Sequence, residues 1–274
     1  LSDTNIQILF VGDVVGSAGL RLLRKVLPQL KAEGIMDLCI VNGENAAGGL
    51  GITGSIAEKL YACGVDCITL GNHTWSKWEI AEWIEEDLRM ARPANGLADW
   101  PGRGFVLLNH QGLKIAVVNL LGSVFLNAPM SPFAEADRLV DFLRTTHEAT
   151  VILVDFHAEA TSEKLAMGYF LDGRVTAVIG THTHVQTSDE RILPQGTAYI
   201  TDAGMTGAKD GVIGMTLTSS LRRFTTCLPT RYEVAKGPAH MNGVLLTVDR
   251  TSGRARSIER YNLAEPNTLE NRSE

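Results

Sequence analysis

Cysteine is scarce, and the four present, Cys39, Cys63, Cys67 and Cys227, form no Cys-x-x-Cys pair. Cys63 and Cys67 flank a Gly-Val-Asp turn, and reduced, buried thiols are the expectation. A nucleophilic Cys227 is disfavoured, because Arg231 follows four positions on with no helix-capping glycine loop between. Long apolar runs are missing too. None approaches the ~18 residues of a membrane span. The opening LSDTNIQ lacks a basic-then-apolar signal pattern, so a cytoplasmic protein without a membrane partner is expected. Nor is there a basic stripe. The net charge is −6 with both signs interspersed, which argues against bulk nucleic-acid binding. A small anionic ligand stays compatible if its site supplies local positive charge. Linkers, repeats and low-complexity segments are also lacking. The 274 residues, 45% hydrophobic and 20% charged, are read as one globular domain over 1–274, with the last ten or so residues frayed. Homo-oligomerisation is left open.

What is present is a repeated strand, turn and helix. The apolar run Gln7 to Val11 ends in Gly12-Asp13, and Leu20, Leu23, Val26, Leu27 and Leu30 recur with a helical period. Leu38 to Val41 reads as the second strand, Thr53 caps a helix to about Ala62, and Val65 to Leu70 reads as the third strand. Ser76 and Glu79 have the spacing of a capping box for a helix from Trp78 to Glu86. This alternation predicts a mostly parallel, buried sheet. The pattern then changes. Gly104 to Leu108 and Leu113 to Asn119 flank His110-Gln111-Gly112 as a hairpin. Ser131-Pro132 opens a helix to about Thr146, and Val151 to Phe156, Val175 to Ile179 and Thr197 to Thr201 are further strands. Val244 to Asp249 and Ala255 to Tyr261 close the chain as a hairpin. The fold class is therefore α/β, with two mixed sheets packed face to face and helices outside.

Five strand ends carry unusual residues: Gly12-Asp13, Asn42-Gly43-Glu44-Asn45, Gly71-Asn72-His73, Asp155-Phe156-His157 and Gly180-Thr181-His182-Thr183-His184. Ligands of α/β sheets bind beyond the carboxyl ends of parallel strands, so these loops are expected to converge on one crevice. Asp, Glu, Asn and His without Cys suit manganese, iron or zinc. Two ions about 3.5–4 Å apart would clamp the attacking and leaving oxygens of a phosphoryl transfer. Singly, each piece has an ordinary structural reading, and His110, His147 and His240 are left as scaffold. Together, in one compositional class at successive strand ends, they read as a metal site.

Two other readings fit less well. Gly12 to Gly19 follows a strand and opens a helix, but its glycines are spaced G-x-x-x-G-x-x-G and an acid sits where pyrophosphate would approach. A dinucleotide-binding module is thus poorly supported, and no Gly-Lys-Ser/Thr follows to make a P-loop. The same glycines could still expose amides to a phosphate at the helix start. A regulatory or scaffolding protein with a metal-ordered site remains an alternative, since a ligand set does not report rate.

The motif set resembles the calcineurin-like metallophosphoesterases, whose pattern is Asp-x-His, Gly-Asp, Gly-Asn-His-Asp/Glu, a strand-end His, then Gly-His-x-His. Gly71-Asn72-His73 and His182-Thr183-His184 match it directly, with Thr181 where the pattern has Gly. Asp13-Val14-Val15 lacks the first-motif His, Glu44 replaces an Asp and is followed by Asn45, and Thr74 replaces the acid after His73. With GENAAGG, GNHTW, DFHAEATSEK, THTHVQT and TDAGMTG, these departures are similar to a bacterial branch described as 2′,3′-cyclic-nucleotide 2′-phosphodiesterases, from about Ile8 to Tyr261.

The resemblance implies a four-layer α/β/β/α sandwich and two divalent or trivalent ions, iron or manganese favoured and zinc accommodated. It implies a first ion on Asp13, Glu44, Asn45 and His184 and a second on Glu44, Asn72, His157 and His182. Glu44 would be the bridge, and Asn45 would fill the place of the missing histidine. The implied reaction is hydrolysis of a small phosphodiester such as a cyclic nucleotide by water activated between the ions, with His73 as general acid. Thr74 cannot orient His73 as an acid would, so another partner is needed. Asp155, on the face of its strand shared with His157, is the candidate for support from behind. Phe125, Trp75 and Met205 are rim candidates, with a place in the core the more ordinary role for each. Ala46 to Gly49 are small enough for phosphate and neighbouring loops to approach.

Overall fold

A computed structural model describes residues 4–265; the expected fraying of the chain end falls largely on residues outside that range. In the first half of the chain, β1 (Asn5–Val11), β2 (Asp13–Val14), α1 (Gly16–Ala32), β3 (Leu38–Asn42), α2 (Gly54–Ala62), β4 (Cys67–Thr69), α3 (Ile80–Glu86) and β5 (Met90–Ala91) follow in order. Then come β6 (Phe105–His110), β7 (Leu113–Leu121), α4 (Pro132–Thr145), β8 (Val151–His157), α5 (Thr161–Phe170), β9 (Ala177–Thr181), β10 (Arg191–Ile192) and β11 (Ala198–Ile200). The chain returns through β12 (Met205–Ala208), α6 (Leu217–Thr226), β13 (Ala239–Asp249) and β14 (Ala255–Ala264).

One sheet runs β14, β13, β1, β3, β4, β5, with β12 pairing the start of β13 and β2 pairing β12. The pairs β1–β3, β3–β4 and β4–β5 are parallel, and β13 is antiparallel to both β1 and β14. The second sheet is ordered β10, β11, β9, β8, β7, β6, with parallel pairs through β7, β8, β9 and β11 and antiparallel edges.

Period-two alternation divides each strand between two layers of core. Ile6, Ile8 and Phe10 of β1, Ile40 of β3, Leu153 of β8 and Ile179 of β9 meet between the sheets. Leu9, Val11 and Val41 turn outward to Leu22, Leu23 and Leu60 on α1 and α2. On the other side, Val154 and Phe156 pack against Leu139, Leu143 and Met167 of α4 and α5. The result is the α/β/β/α sandwich expected from the motifs.

The alternation continues into polar residues at the strands' carboxyl ends. After Leu38 and Ile40 comes Asn42, after Val151 and Leu153 come Asp155 and His157, and after Ala177 and Ile179 comes Thr181. All four polar residues at the ends of these three strands are buried. The apolar core between the sheets therefore ends in a polar layer, and the candidate site lies on top of it.

Several local expectations need correction. Ser76 and Glu79 make no capping box. Thr74–Ser76 form a 3-10 turn, and α3 starts at Ile80 without a side-chain cap. Thr53 and Ser131 do cap their helices, accepting from the amides of Ile56 and Ala134. The strand expected over Val65 to Leu70 is shorter, and α1 begins four residues earlier than its apolar period suggested. The helices α5 and α6 were not foreseen. Cys227 is exposed, ending α6 in a left-handed conformation, whereas the other three thiols are buried. The start of α1 is not a phosphate cradle, because the amides of Val15 and Gly16 donate to the carbonyls of Thr206 and Asn45.

The closing hairpin fastens one sheet to the other. Gly253 lies in its turn at φ +68°, its carbonyl accepts from Thr176 Oγ1 at 2.7 Å, and a Cβ there would stand 1.9 Å from the Thr150 carbonyl oxygen. Gly253→Ala is expected to destabilise the fold by about 2–4 kcal/mol, read as a lower urea midpoint at unchanged slope. A midpoint like that of the parent would mean the turn moves aside at little cost.

Candidate metal centre

The turn after β3 explains the polar string that begins at Asn42. Asn42 Oδ1 accepts from the Glu44 amide at 3.1 Å, while its Nδ2 donates to Leu70 O at 3.0 Å and Asp155 Oδ2 at 2.9 Å. Glu44, only 1% exposed, is thereby aimed between the sheets. Its Oε2 accepts from the His73 amide at 2.9 Å, and its Oε1 lies 3.2 Å from His157 Nε2. Gly71 makes this approach feasible: a Cβ on it would be 2.3 Å from Glu44 Oε2 and 2.4 Å from His157 Cδ2.

Around His157 Nε2 the convergence is dense. Asn72 Oδ1 is 2.9 Å away and His182 Nδ1 is 3.0 Å away. Glu44, His157 and His182 form a group whose ligand atoms all lie within 4.8 Å of one another. A second convergence lies beside it, where His184 Nε2 stands 3.2 Å from Asn45 Oδ1. Asp13 is fully buried, its Oδ2 accepts from the His182 amide at 3.1 Å, and among the described residues its Oδ1 finds no hydrogen-bond partner. All seven residues implied as ligands thus come together from five strand ends, and His73 sits half-buried beside them.

The outward contacts decide which ring nitrogens carry lone pairs. Thr181 Oγ1 donates to Asp155 Oδ1 at 2.7 Å, so it accepts from His157 Nδ1–H at 2.9 Å. His182 Nε2 lies 2.9 Å from Glu159 Oε2, and His184 Nδ1–H donates to Ile213 O at 3.0 Å. Each histidine has an acceptor behind it, which turns an unprotonated nitrogen inward. Asn45 Nδ2 donates to Gly49 O at 3.0 Å, which aims its oxygen inward as well. Lone pairs crowded at 2.9–3.2 Å repel one another unless a cation lies among them. The nitrogen and oxygen donors suit a borderline divalent ion, so the residues fit the metals that the motifs implied.

A proton on His157 Nε2 can serve as that cation. Burial works against charge on His157, yet Glu44, Asp13 and Asp155 outweigh it and lift the imidazole to about 9. Burial likewise opposes ionisation of Glu44, but His157 holds it down at about 2. Burial and the neighbouring His157 depress His182 to about 3. Burial raises Asp155 to about 6, with His157 and the surrounding hydroxyl and amide donors pulling the other way. The cleft therefore attracts positive charge at neutral pH.

Several residues that hold the site were not foreseen. Asp155 supports His157 only through Thr181, and Ser76 is the residue behind His73, with Oγ 3.5 Å from Nδ1. Thr74 instead donates its hydroxyl to Gly71 O at 2.6 Å. His182 and His184 both have positive φ, 104° and 64°, a strained conformation for residues with a Cβ. Asp202 restrains that loop: its Oδ2 accepts from Thr183 N at 3.0 Å and Thr183 Oγ1 at 2.8 Å, and from Lys164 Nζ at 2.7 Å. Lys164 is 1% exposed and Asp202 fully buried. The strand-end logic that found Asp13 and Asp155 applies equally to Asp202, but nothing local distinguishes a buried helical lysine from an exposed one. None of the rim candidates lines the cavity: Phe125 is 81% exposed, Met205 is buried, and Trp75 packs edge-on against Trp100.

The family sequence model described as "YmdB-like protein" matches residues 9–261. The chain belongs to the YmdB-like family. A curated relative from Bacillus subtilis (strain 168), named 2′,3′-cyclic-nucleotide 2′-phosphodiesterase, is 48% identical over 93% of this chain and 96% of its own length. The crystal structure of a hypothetical protein from Thermus thermophilus superposes with a TM-score of 0.88 at 40% identity, covering 95% of this chain and all of that one. A Haemophilus influenzae NAD nucleotidase shares the fold alone, at 12% identity and a TM-score of 0.61 over 95% of this chain and 56% of its own. The resemblance to the branch described as 2′,3′-cyclic-nucleotide 2′-phosphodiesterases is borne out, and so is the expected fold.

Two substitutions probe the supports. Asp155→Asn sets an amide donor against Asn42 or Thr181 and should weaken manganese binding about 10–100-fold; an unchanged titration would remove Asp155 as a support. Lys164→Met leaves Asp202 buried without its cation and should cost about 3–5 kcal/mol, with Asp202→Asn in the same chain recovering much of it. Calorimetric melting checks both variants, and equal melting temperatures for parent and Lys164→Met would show that the pair does not stabilise the loop.

Proposed function

We propose that the chain is a single metallophosphoesterase domain that hydrolyses small phosphodiesters with two metal ions, opening 2′,3′-cyclic nucleotides to 3′-nucleotides. In this reading Asp13, Glu44, Asn45 and His184 hold one ion and Glu44, Asn72, His157 and His182 the other, with Glu44 common to both. Iron or manganese is the favoured occupant, with zinc accommodated. The observation that carries the reading is the crowding of Asn72 Oδ1, His182 Nδ1 and Glu44 Oε1 within 3.2 Å of His157 Nε2, backed by an acceptor behind each of the three histidines. The substrate class is supported by the name of the Bacillus subtilis relative.

Such ions, when bound, activate water near neutral pH and offset charge on the phosphoryl oxygens. The protein's own residues do the remainder. His73 borders the cavity with its Nε2 3.3 Å from Asn72 Nδ2 and its amide tied to Glu44. Its imidazole is the group in reach to protonate the departing 2′ oxygen as general acid. Ser76 Oγ stands behind the ring at 3.5 Å from Nδ1, and Nε2 gives up its contact with the Asn72 amide when it carries the proton to be delivered. The buried Asn42–Asp155–Thr181 chain keeps Glu44 and His157 from swinging apart while the bond breaks.

The test is a panel on manganese-loaded protein: 2′,3′-cyclic nucleotides, 3′,5′-cyclic nucleotides, phosphomonoesters and a p-nitrophenyl diester. Turnover should favour the 2′,3′-cyclic esters and vanish with a chelator, and Glu44→Gln should cost most of the rate. His73→Ala should lower kcat by about 10²–10⁴-fold for the nucleotide and far less for the p-nitrophenyl ester, whose leaving group needs no proton. Equal losses on both would remove the acid role, and turnover that persists without metal would sink the reading.

A further inference from the structure

The cleft above the candidate metal centre has two unlike sides. Its volume is about 360 Å³, and its floor is Glu44, Asn45, His73, His182 and His184. The opposite wall comes from one stretch of chain between β12 and β13, which contributes Ile213, Met215, Ser220, Phe224 and Tyr232, joined by Leu50. Among the described residues lining the cleft there is no Lys or Arg. Arg223 stands outside the lining, its guanidinium 5.8 Å from the ring centroid of Tyr232, so the cleft itself offers more to a neutral planar group than to a second phosphate.

The wall is anchored to the floor. The Ile213 carbonyl takes the Nδ1 proton of His184, Val212 and Met215 exchange backbone bonds of 2.8 and 2.9 Å, and Thr216 N donates to Glu233 O at 2.8 Å. A Cβ on Gly49 would be 2.8 Å from a Val234 methyl, so the glycines after Glu44 serve the approach of this stretch. On that fixed support Phe224 is 69% and Tyr232 43% exposed. Both are aromatic surfaces held at the mouth of a catalytic cleft, where a ligand that covers them gains burial. Ser220 supplies a second, independent sign. It lines the cleft and is 1% exposed, and its Oγ has no hydrogen-bond partner among the described residues. A buried hydroxyl left unpaired is costly unless a ligand meets it.

We infer that this wall is the subsite for the nucleobase of a mononucleoside cyclic phosphate, with Phe224 and Tyr232 as the stacking surface and Ser220 as the hydrogen-bonding group for the base edge. The inference rests on the phosphodiesterase reading. The cleft is near the lower end of the roughly 300–1,000 Å³ of small-molecule pockets, which suits one nucleoside. Stacking on an aromatic side chain tolerates any base, so the aromatic pair sets preference for a nucleoside, and Ser220 sets the ranking among bases.

The experiment compares kcat/KM for adenosine 2′,3′-cyclic phosphate with that for methyl β-D-ribofuranoside 2′,3′-cyclic phosphate, which has the same reacting ring and no base. The parent protein should prefer the nucleoside by about tenfold or more, mainly through KM. Phe224→Ala with Tyr232→Ala should bring that ratio below about threefold, while Phe224→Tyr should retain it. Both aromatics are exposed, so their truncation leaves the core intact, and a melting curve checks this. Ser220→Ala should change the ranking of adenosine against uridine esters. A parent ratio near one would overturn the subsite while leaving the phosphodiesterase reading intact, as would a preference that survives removal of both aromatics. Turnover of neither ester would remove the phosphodiesterase reading and the subsite together.

Discussion

A single buried carboxylate, that of Asp155, ties the two sheets together where the site begins. One oxygen accepts from Asn42 of β3 and the other from Thr181 of β9. Through Asn42 it reaches the Glu44 amide, and through Thr181 it reaches the ring of His157. A lone buried acid is costly, but hydrogen bonds to both oxygens and the nearby imidazole offset that cost. The apolar layer between the sheets can therefore end in a polar one at little cost, and the strand ends are held in mutual register. The positions of Glu44 and His157 follow from that junction.

The loop carrying His182 and His184 depends on a different device. Two histidines at positive φ would relax in isolation, so the loop needs an external restraint. The Lys164–Asp202 pair supplies it from the far side of β9, with Asp202 gripping the intervening Thr183 by backbone and hydroxyl. A buried ion pair is weak evidence for stability in general, since desolvation opposes it. Here its worth lies in direction: it keeps Nδ1 of His182 and Nε2 of His184 turned toward Glu44 and Asn45. The strain sits in the binding loop, and the buried pair beneath it holds that strain in place.

The wall between β12 and β13 completes the cleft and links recognition to the centre. The Ile213 carbonyl orients His184 while its side chain lines the space opposite. A ligand pressing on this stretch would act on the same segment that fixes a candidate metal ligand. A nucleoside phosphate would bring both kinds of group that the two sides of the cleft would accept: negative charge for cations held at the floor and an apolar face for the wall.

The residue types and their spacing were enough to read the layered α/β sandwich, because period-two strands and capped helices are local patterns. Asp13, Glu44, Asn45, Asn72, His73, Asp155, His157, His182 and His184 were legible too, since each follows directly on an apolar strand and the carboxyl ends of parallel strands share one edge. The sequence alone also held the departure at Asp13-Val14-Val15 beside the added Asn45. Tertiary structure decided the rest. It chose Ser76 rather than an acid behind His73, routed Asp155 through Thr181, and buried Lys164 against Asp202. It also turned Ser220 and Phe224 of an unforeseen helix toward the cleft. Except for the short step from His73 to Ser76, those contacts join residues far apart in the chain, and no periodicity records them: a polar side chain on a helix looks the same in sequence whether water or another sheet satisfies it.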